Sequence, residues 1–240
     1  MRTSKEVSVF ASRGGIGPMD NQRRILIVAY DDAQILDIAC PSGALDIANR
    51  YGAAPPYSIE LATLGRRAAR SSAGIVLGAG RALEAVTGRL DTLIVVGGAG
   101  YACAAADERL LAQVRRLAGR SRRVASVCTG TYVLAAAGLL KGRRATTYWA
   151  SADYLQATFG VTYLPQRYVH SGKIVTAAGV SAGLDMALYL ASLVAGDTTA
   201  KAIQPAIEYD PHPPFDSGNA ANADPRLKAL ALRLLAESQV

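Results

Sequence analysis

The chain has 240 residues, half of them hydrophobic, and carries 26 Lys and Arg against 19 Asp and Glu, a formal charge of +7. That is enough apolar chain for one well-filled domain, and Arg, Asp or Lys interrupts every run before the ~18 to 20 continuous apolar residues that a membrane helix needs. The charge is scattered over separated pairs (Arg23 and Arg24, Arg66 and Arg67, Arg115 and Arg116, Arg122 and Arg123, Arg143 and Arg144), which reads as solvated surface and disfavours nucleic acid as a partner.

Residues 1–22 lack the apolar centre of a secretory signal and read as a flexible extension, with Met19 a candidate start for the compact fold. Strands are expected at "RILIVAY" (24–30), "YSIELATL" (57–64), "DTLIVVGG" (91–98) and "RVASVC" (123–128), because near-continuous β-branched runs mark strands covered on both faces. "PSGALDIANRYG" follows the first strand as a helix opened by Pro and closed by Gly. "DERLLAQVRRLAG" places Leu110, Leu111, Val114 and Leu117 on one face, with Asp107 as N-cap. Beyond "TYVLAAAGLLKG", a small-residue helix, "RYVHSGKIVTAAG" reads as a hairpin turning at Ser171 and Gly172. Two more helices, "SAGLDMALYLASLVAG" and "DTTAKAIQPAIEY", lead to a Pro/Gly/Asn/Asp loop and a short C-terminal helix. Strands alternating with helices predict a single-domain α/β sandwich with a mostly parallel central sheet, over residues 23–218, with 219–240 as a loop and final helix.

Three cysteines, Cys40, Cys103 and Cys128, are odd in number and lack framework spacing, which argues against an extracellular disulfide scaffold and points to the cytoplasm. Two histidines, His170 and His212, and no Cys-x-x-Cys pair give no metal site. "GGAGYAC" fails as a dinucleotide fingerprint because Cys103 stands at the third glycine position, so no cofactor is expected.

Cys128 ends a strand and precedes a helix, at the sheet end where α/β ligands gather. Helix N–H groups there should favour thiolate and make Cys128 the most reactive thiol, with Cys40 and Cys103 as packing residues. The "GGAG" turn offers backbone N–H groups at Gly98 and Ala99 for a developing oxyanion. Asp37, framed by Leu36, Ile38 and Ala39, is either the cap of the next helix or a carboxylate with a raised pKa suited to acid/base work. His170 and His212 read as surface residues.

The ordered set "ILDIACP", "IVVGGAG", "SVCTGTYVLAAAGLLKGRRATTYWA", "TAAGVSAGLDMALYLA" and "IEYDPHPPFDSG" resembles the ThiJ/PfpI superfamily, over roughly residues 24–218. Within it the similarity is greatest to isonitrile hydratases. The resemblance implies a flavodoxin-like, class I glutamine amidotransferase-like fold, a homodimer, a small-molecule substrate, and addition of water to an isonitrile. It puts the nucleophile at Cys128, its neighbouring hydroxyl at Thr129 and the essential carboxylate at Asp37. Where the family has "ATTHWA" this chain has "ATTYWA", so Tyr148 replaces an imidazole in the pocket region, which weakens branches that need a Cys/His pair, such as the peptidase-like one. The same domain resembles the sensing half of AraC-type regulators, so a non-catalytic ligand-sensing role is the alternative, and a glyoxalase or deglycase-like hydrolase a further one.

Overall fold

The run RRILIV forms β1 (Arg23–Val28), and its alternate side chains divide between two cores. In this computed structural model, which describes residues 22–237, Ile25 and Ile27 face one helical layer while Leu26 and Val28 face the other. That is how a strand reads when it is covered on both sides. Of the expected N-terminal extension only Gln22 lies within the described residues.

The remaining elements follow as α1 (Ile35–Arg50), β2 (Tyr57–Thr63), the short β3 (Ala69–Arg70), β4 (Val76–Leu77) and β5 (Arg81–Ala82), then β6 (Leu90–Val95), α2 (Tyr101–Ala106) and α3 (Glu108–Arg120). Next come β7 (Ser121–Val127), α4 (Gly130–Ala136), β8 (Arg144–Ala145), α5 (Ala152–Phe159), β9 (Thr162–Tyr163), β10 (Tyr168–Ser171) and β11 (Ile174–Ala177), with α6 (Ala182–Ala195), α7 (Asp197–Ala206) and α8 (Pro225–Glu237) closing the chain. The main sheet runs β10-β11-β7-β6-β1-β2-β5, parallel except for the β10–β11 hairpin. This is the expected α/β sandwich with a mostly parallel sheet. The hairpin turns through Gly172 and Lys173, one residue later than expected.

Helices α1, α6 and α7 cover the Ile25/Ile27 face, and α3, α4 and α5 the Leu26/Val28 face. In α3 the expected stripe Leu110, Leu111, Val114 and Leu117 is buried, and burying such a side chain is worth roughly 1.5–3 kcal/mol. The Asp107 carboxylate accepts from the N–H groups of Arg109 and Leu110, as an N-cap does.

One boundary that matters lies earlier than the sequence suggests. Helix α1 begins at Ile35 rather than at Pro41, capped by the Gln34 side chain, so Pro41 lies inside it. An interior proline costs a helix about 3 kcal/mol, and sequence alone therefore favours a start at the proline. The earlier start puts Asp37 in the first helical turn. Helices α2 and α5 were not anticipated either; "YACAAA" is six residues long and almost featureless in its apolar pattern. No helix among the described residues is long and apolar enough to cross a membrane.

Candidate active site

Cys128 follows β7 and stands two residues before α4, with φ of 56°, a left-handed conformation that a non-glycine residue holds only when its surroundings enforce it. The enforcement is visible on both sides of the peptide. The Cys128 N–H donates to the carbonyls of Ala177 (3.1 Å) and Ala178 (3.0 Å) at the end of β11, and the Cys128 carbonyl accepts from the Thr147 hydroxyl at 2.9 Å. Thr146 and Thr131 extend this bracing: Thr176 Oγ1 accepts from the Thr146 N–H (2.8 Å), and the Thr131 hydroxyl donates to the Thr146 carbonyl (2.9 Å). A Cβ at Gly130 would stand 2.2 Å from the Val95 carbonyl oxygen, so the turn passes this close to β6 only with glycine there.

Asp37 is fully buried beneath this turn. Its Oδ2 accepts from the Gly97 N–H at 2.9 Å, while Oδ1 is buried with no hydrogen-bond partner. Burial raises its pKa to about 7, against the opposing pull of the Gly97 N–H. The alternative of a simple helix cap is therefore corrected: Gln34 caps α1, and Asp37 reaches across to Gly97 in the turn after β6. Gly97 is the joint between the two. A Cβ there would lie 2.6 Å from Thr129 N and 2.8 Å from Cys128 Cβ.

Burial first, and then the Asp37 carboxylate, push the Cys128 thiol up to about 12, against the N–H groups of Thr129 and Val180 and the Thr129 hydroxyl, which favour the anion. The expectation of a thiolate at rest is corrected: desolvation beside a carboxylate outweighs the N–H groups that favour the anion. Val180 supports its N–H from a strained backbone, with φ of 27° at a β-branched residue.

The other expected residues take distinct places. The Gly98 N–H, expected to face an oxyanion, is committed to the Thr129 hydroxyl at 3.0 Å, and Ala99 is exposed in the turn before α2. Tyr148 is half-buried, its ring against the bare Cα of Gly179, and burial and then Cys128 raise its pKa. His170 bonds Tyr189 and the Gly172 carbonyl on the exposed side of β10, and His212 lies in the exposed loop before α8. Cys40 is half-buried one turn along α1 from Asp37, which raises its pKa after burial does; Cys103 is exposed and so is no packing residue. Sequence reasoning missed Tyr30. Its hydroxyl donates to the Val96 carbonyl at 2.8 Å, and burial, Asp37 and Cys128 hold its pKa well above the usual tyrosine value. Its place at the end of the first strand was the available signal.

The Asp37 carboxylate acts on the Cys128 thiol through its charge, with no hydrogen bond joining the two, at the C-terminal end of the parallel sheet. A neutral thiol with a pKa of about 12 next to a carboxyl at about 7 leaves the pair holding one proton over that whole interval.

The sequence pattern of the DJ-1/PfpI family matches residues 23–193. An isonitrile hydratase of Pseudomonas putida is 47% identical over 134 residues, 56% of this chain and 58% of that protein. The transcriptional regulator GlxA of Rhizobium meliloti, of the helix-turn-helix type, is 30% identical over 167 residues, 69% of this chain and 51% of that protein. The matches thus span little more than half the length of either relative. A ThiJ/PfpI family protein from Pseudomonas syringae superposes with a TM-score of 0.82 at 29% identity, covering 94% of this chain and 93% of that one. With the family pattern spanning most of the chain and this architecture behind it, the chain belongs to the DJ-1/PfpI family.

Proposed function

We propose that this protein hydrates an isonitrile to an N-substituted formamide, with Cys128 as nucleophile and Asp37 as the acid and base that moves the protons. The observation that carries the reading is the Asp37 carboxyl: buried, with Oδ1 free of any protein donor and a pKa of about 7 beside a neutral thiol. An isonitrile carbon must gain a proton and a nucleophile at one atom. In the first step the Asp37 carboxylate takes the Cys128 proton and passes it to that carbon, while the sulfur forms the C–S bond, giving a thioimidate, R–N=CH–S–Cys. Asp37, again a carboxylate, then takes a proton from water as the hydroxyl adds to the same carbon. That proton goes to nitrogen; as the C–S bond breaks, the added hydroxyl becomes the formyl oxygen and its proton passes to sulfur, releasing R–NH–CHO and the thiol. Donors that already favour the sulfur anion, the N–H groups of Thr129 and Val180, are suited to charge developing there. Tyr148 supplies an aromatic wall for the substrate's R group.

The test is turnover of a panel of alkyl and aryl isonitriles, methylglyoxal and peptides by wild type and Cys128→Ala. Formamide production that disappears in the variant supports the reading; hydrolysis of methylglyoxal products without isonitrile turnover moves the chain to the deglycase-like reading. The second reading, a ligand-sensing domain, is favoured by the similarity to a transcriptional regulator over 69% of this chain. It takes first place if no substrate turns over and calorimetry detects a bound small molecule. The homodimer belongs to the same proposal, and light scattering at micromolar concentration checks it.

A further inference from the structure

Three arginines far apart in sequence, Arg23 and the pair Arg122 and Arg123, meet at the end of the sheet opposite Cys128. Arg23 opens β1, Arg122 and Arg123 follow the first residue of β7, and Asp91 near the start of β6 lies between them. Arg123 Nη1 donates to Asp91 Oδ1 at 2.7 Å, whereas Arg23 Nη1 and Arg122 Nη1 stand 3.6 and 3.9 Å from Oδ2, close enough for ion pairing but beyond a hydrogen bond. The reading of the pairs as solvated surface holds for Arg122 but is corrected for Arg123, whose side chain, like that of Asp91, is buried (8% and 9% exposed). Three guanidinium groups face one carboxylate, which leaves two net positive charges, with Arg23 and Arg123 largely desolvated and Arg122 at the solvent edge.

Two donors in the cluster are unspent. Arg23 Nε and the Tyr57 hydroxyl are buried without a hydrogen-bond partner, and Tyr57 stands directly opposite Arg23 in the β1–β2 register. Burial and then Asp91 push the Tyr57 phenol up to about 12, so it remains a neutral donor at physiological pH. Folded proteins rarely leave buried donors unpaired, and like charges repel more strongly once removed from water. One species answers both conditions: an oxyanion carrying two negative charges, with enough oxygens to meet several guanidinium forks at once. A carboxylate would leave one positive charge unbalanced and offers two acceptor atoms where tetrahedral phosphate offers more.

We infer that Arg23, Arg122, Arg123 and Tyr57 form a binding site for a dianionic phosphate group, entered past the Arg122 side chain, which is 62% exposed. The site lies at the far end of β7 from Cys128, about 20 Å along the strand, and stands independently of the isonitrile reading.

The experiment is calorimetric titration and thermal melting of the whole chain with inorganic phosphate and, separately, glycerol 3-phosphate, at ionic strength held constant with sodium chloride. Saturable binding of one ligand per chain is expected, equally in wild type and Cys128→Ser, which separates this site from the thiol. Tighter binding of one ligand tells whether free phosphate or a phosphorylated small molecule is the better fit. Arg122→Gln, at an exposed side chain that the fold does not need, should weaken binding at least about tenfold. Tyr57→Phe removes only the orphaned hydroxyl and should weaken it by about threefold or more. Absence of saturable heat and of any melting shift in folded wild type overturns the inference, as does wild-type affinity in Arg122→Gln.

Discussion

Replacing Asp37 by Asn separates proton transfer from architecture, because the amide oxygen can still accept from the Gly97 N–H while the titratable proton is gone. If Asp37 shuttles the proton, turnover of any accepted isonitrile should fall by on the order of 10² to 10⁴ in kcat/KM. Stability gives an independent reading of the same group. A carboxyl whose pKa is raised by folding keeps its proton in the folded chain after the unfolded chain has released it, so the fold loses stability as pH climbs from about 4 to about 7 and stays at the lower level above. The difference between an ordinary 3.8 and about 7 corresponds to about 4 kcal/mol. Asn carries no such dependence. The stability of Asp37→Asn relative to wild type should therefore improve by about 4 kcal/mol across that window, or roughly 8–16 °C in melting temperature for a chain of this size. The amide NH₂ left unpaired in place of Oδ1 costs about 1–3 kcal/mol, which lowers the variant's curve without tilting it. Melting curves at closely spaced pH values, run beside a formamide assay, read both effects. Parallel stability profiles would show that Asp37 is not held protonated by burial, and near-wild-type turnover in the variant would refute the proposed mechanism.

The pair must hold one proton for both steps, so kcat/KM should fall about tenfold per pH unit below about 7, where Asp37 and Cys128 are both protonated; a flat profile from pH 5.5 to about 8 contradicts this. Iodoacetamide followed by mass spectrometry should label exposed Cys103 first and buried Cys128 last, and Asp37→Asn should speed Cys128 labelling by removing the charge that raises its pKa. Gly97→Ala should abolish activity and lower the melting temperature, since the new methyl would stand 2.6 Å from Thr129 N; wild-type kinetics in that variant would mean that the Gly97–Thr129 contact is not what seats the thiol.

The strands of the sheet and the buried stripe of α3 were legible because apolar runs on both parities, and Leu110 to Leu117 on one helical face, encode burial directly in local sequence. The thiol's position after β7 was legible for the same reason: a strand run stopping at Cys-Thr-Gly has few other geometries. Asp37 was visible as a carboxylate among apolar neighbours. Its helical setting was not, because Pro41 masks the true start of α1, and the residue that competes for the cap, Gln34, is a weak cap by type. The resting state of Cys128 lay beyond the sequence altogether. It depends on how α1, β6 and β11 close around the sulfur, and the desolvation that results outweighs the helix N-terminus which the local sequence advertises. The arginine cluster failed to register for a like reason, since Arg23 and Arg122 are neighbours only through Asp91 on the strand between them.

The charge state of the pair bears on which chemistry suits the site. A cysteine with a depressed pKa is a ready nucleophile but brings no proton, and a substrate whose reacting carbon must be protonated as it is attacked would wait for an acid from elsewhere. A thiol at about 12 beside a carboxyl at about 7 keeps both the nucleophile and its proton in one buried place, and releases the nucleophile only as the proton is used. In the proposed mechanism the free Oδ1 is the acceptor for that proton, while the other oxygen accepts from the Gly97 N–H. Such a site has little driving force toward reagents that demand a standing thiolate. On the proposed reading it meets the demand an isonitrile makes, the addition of H and S across one carbon.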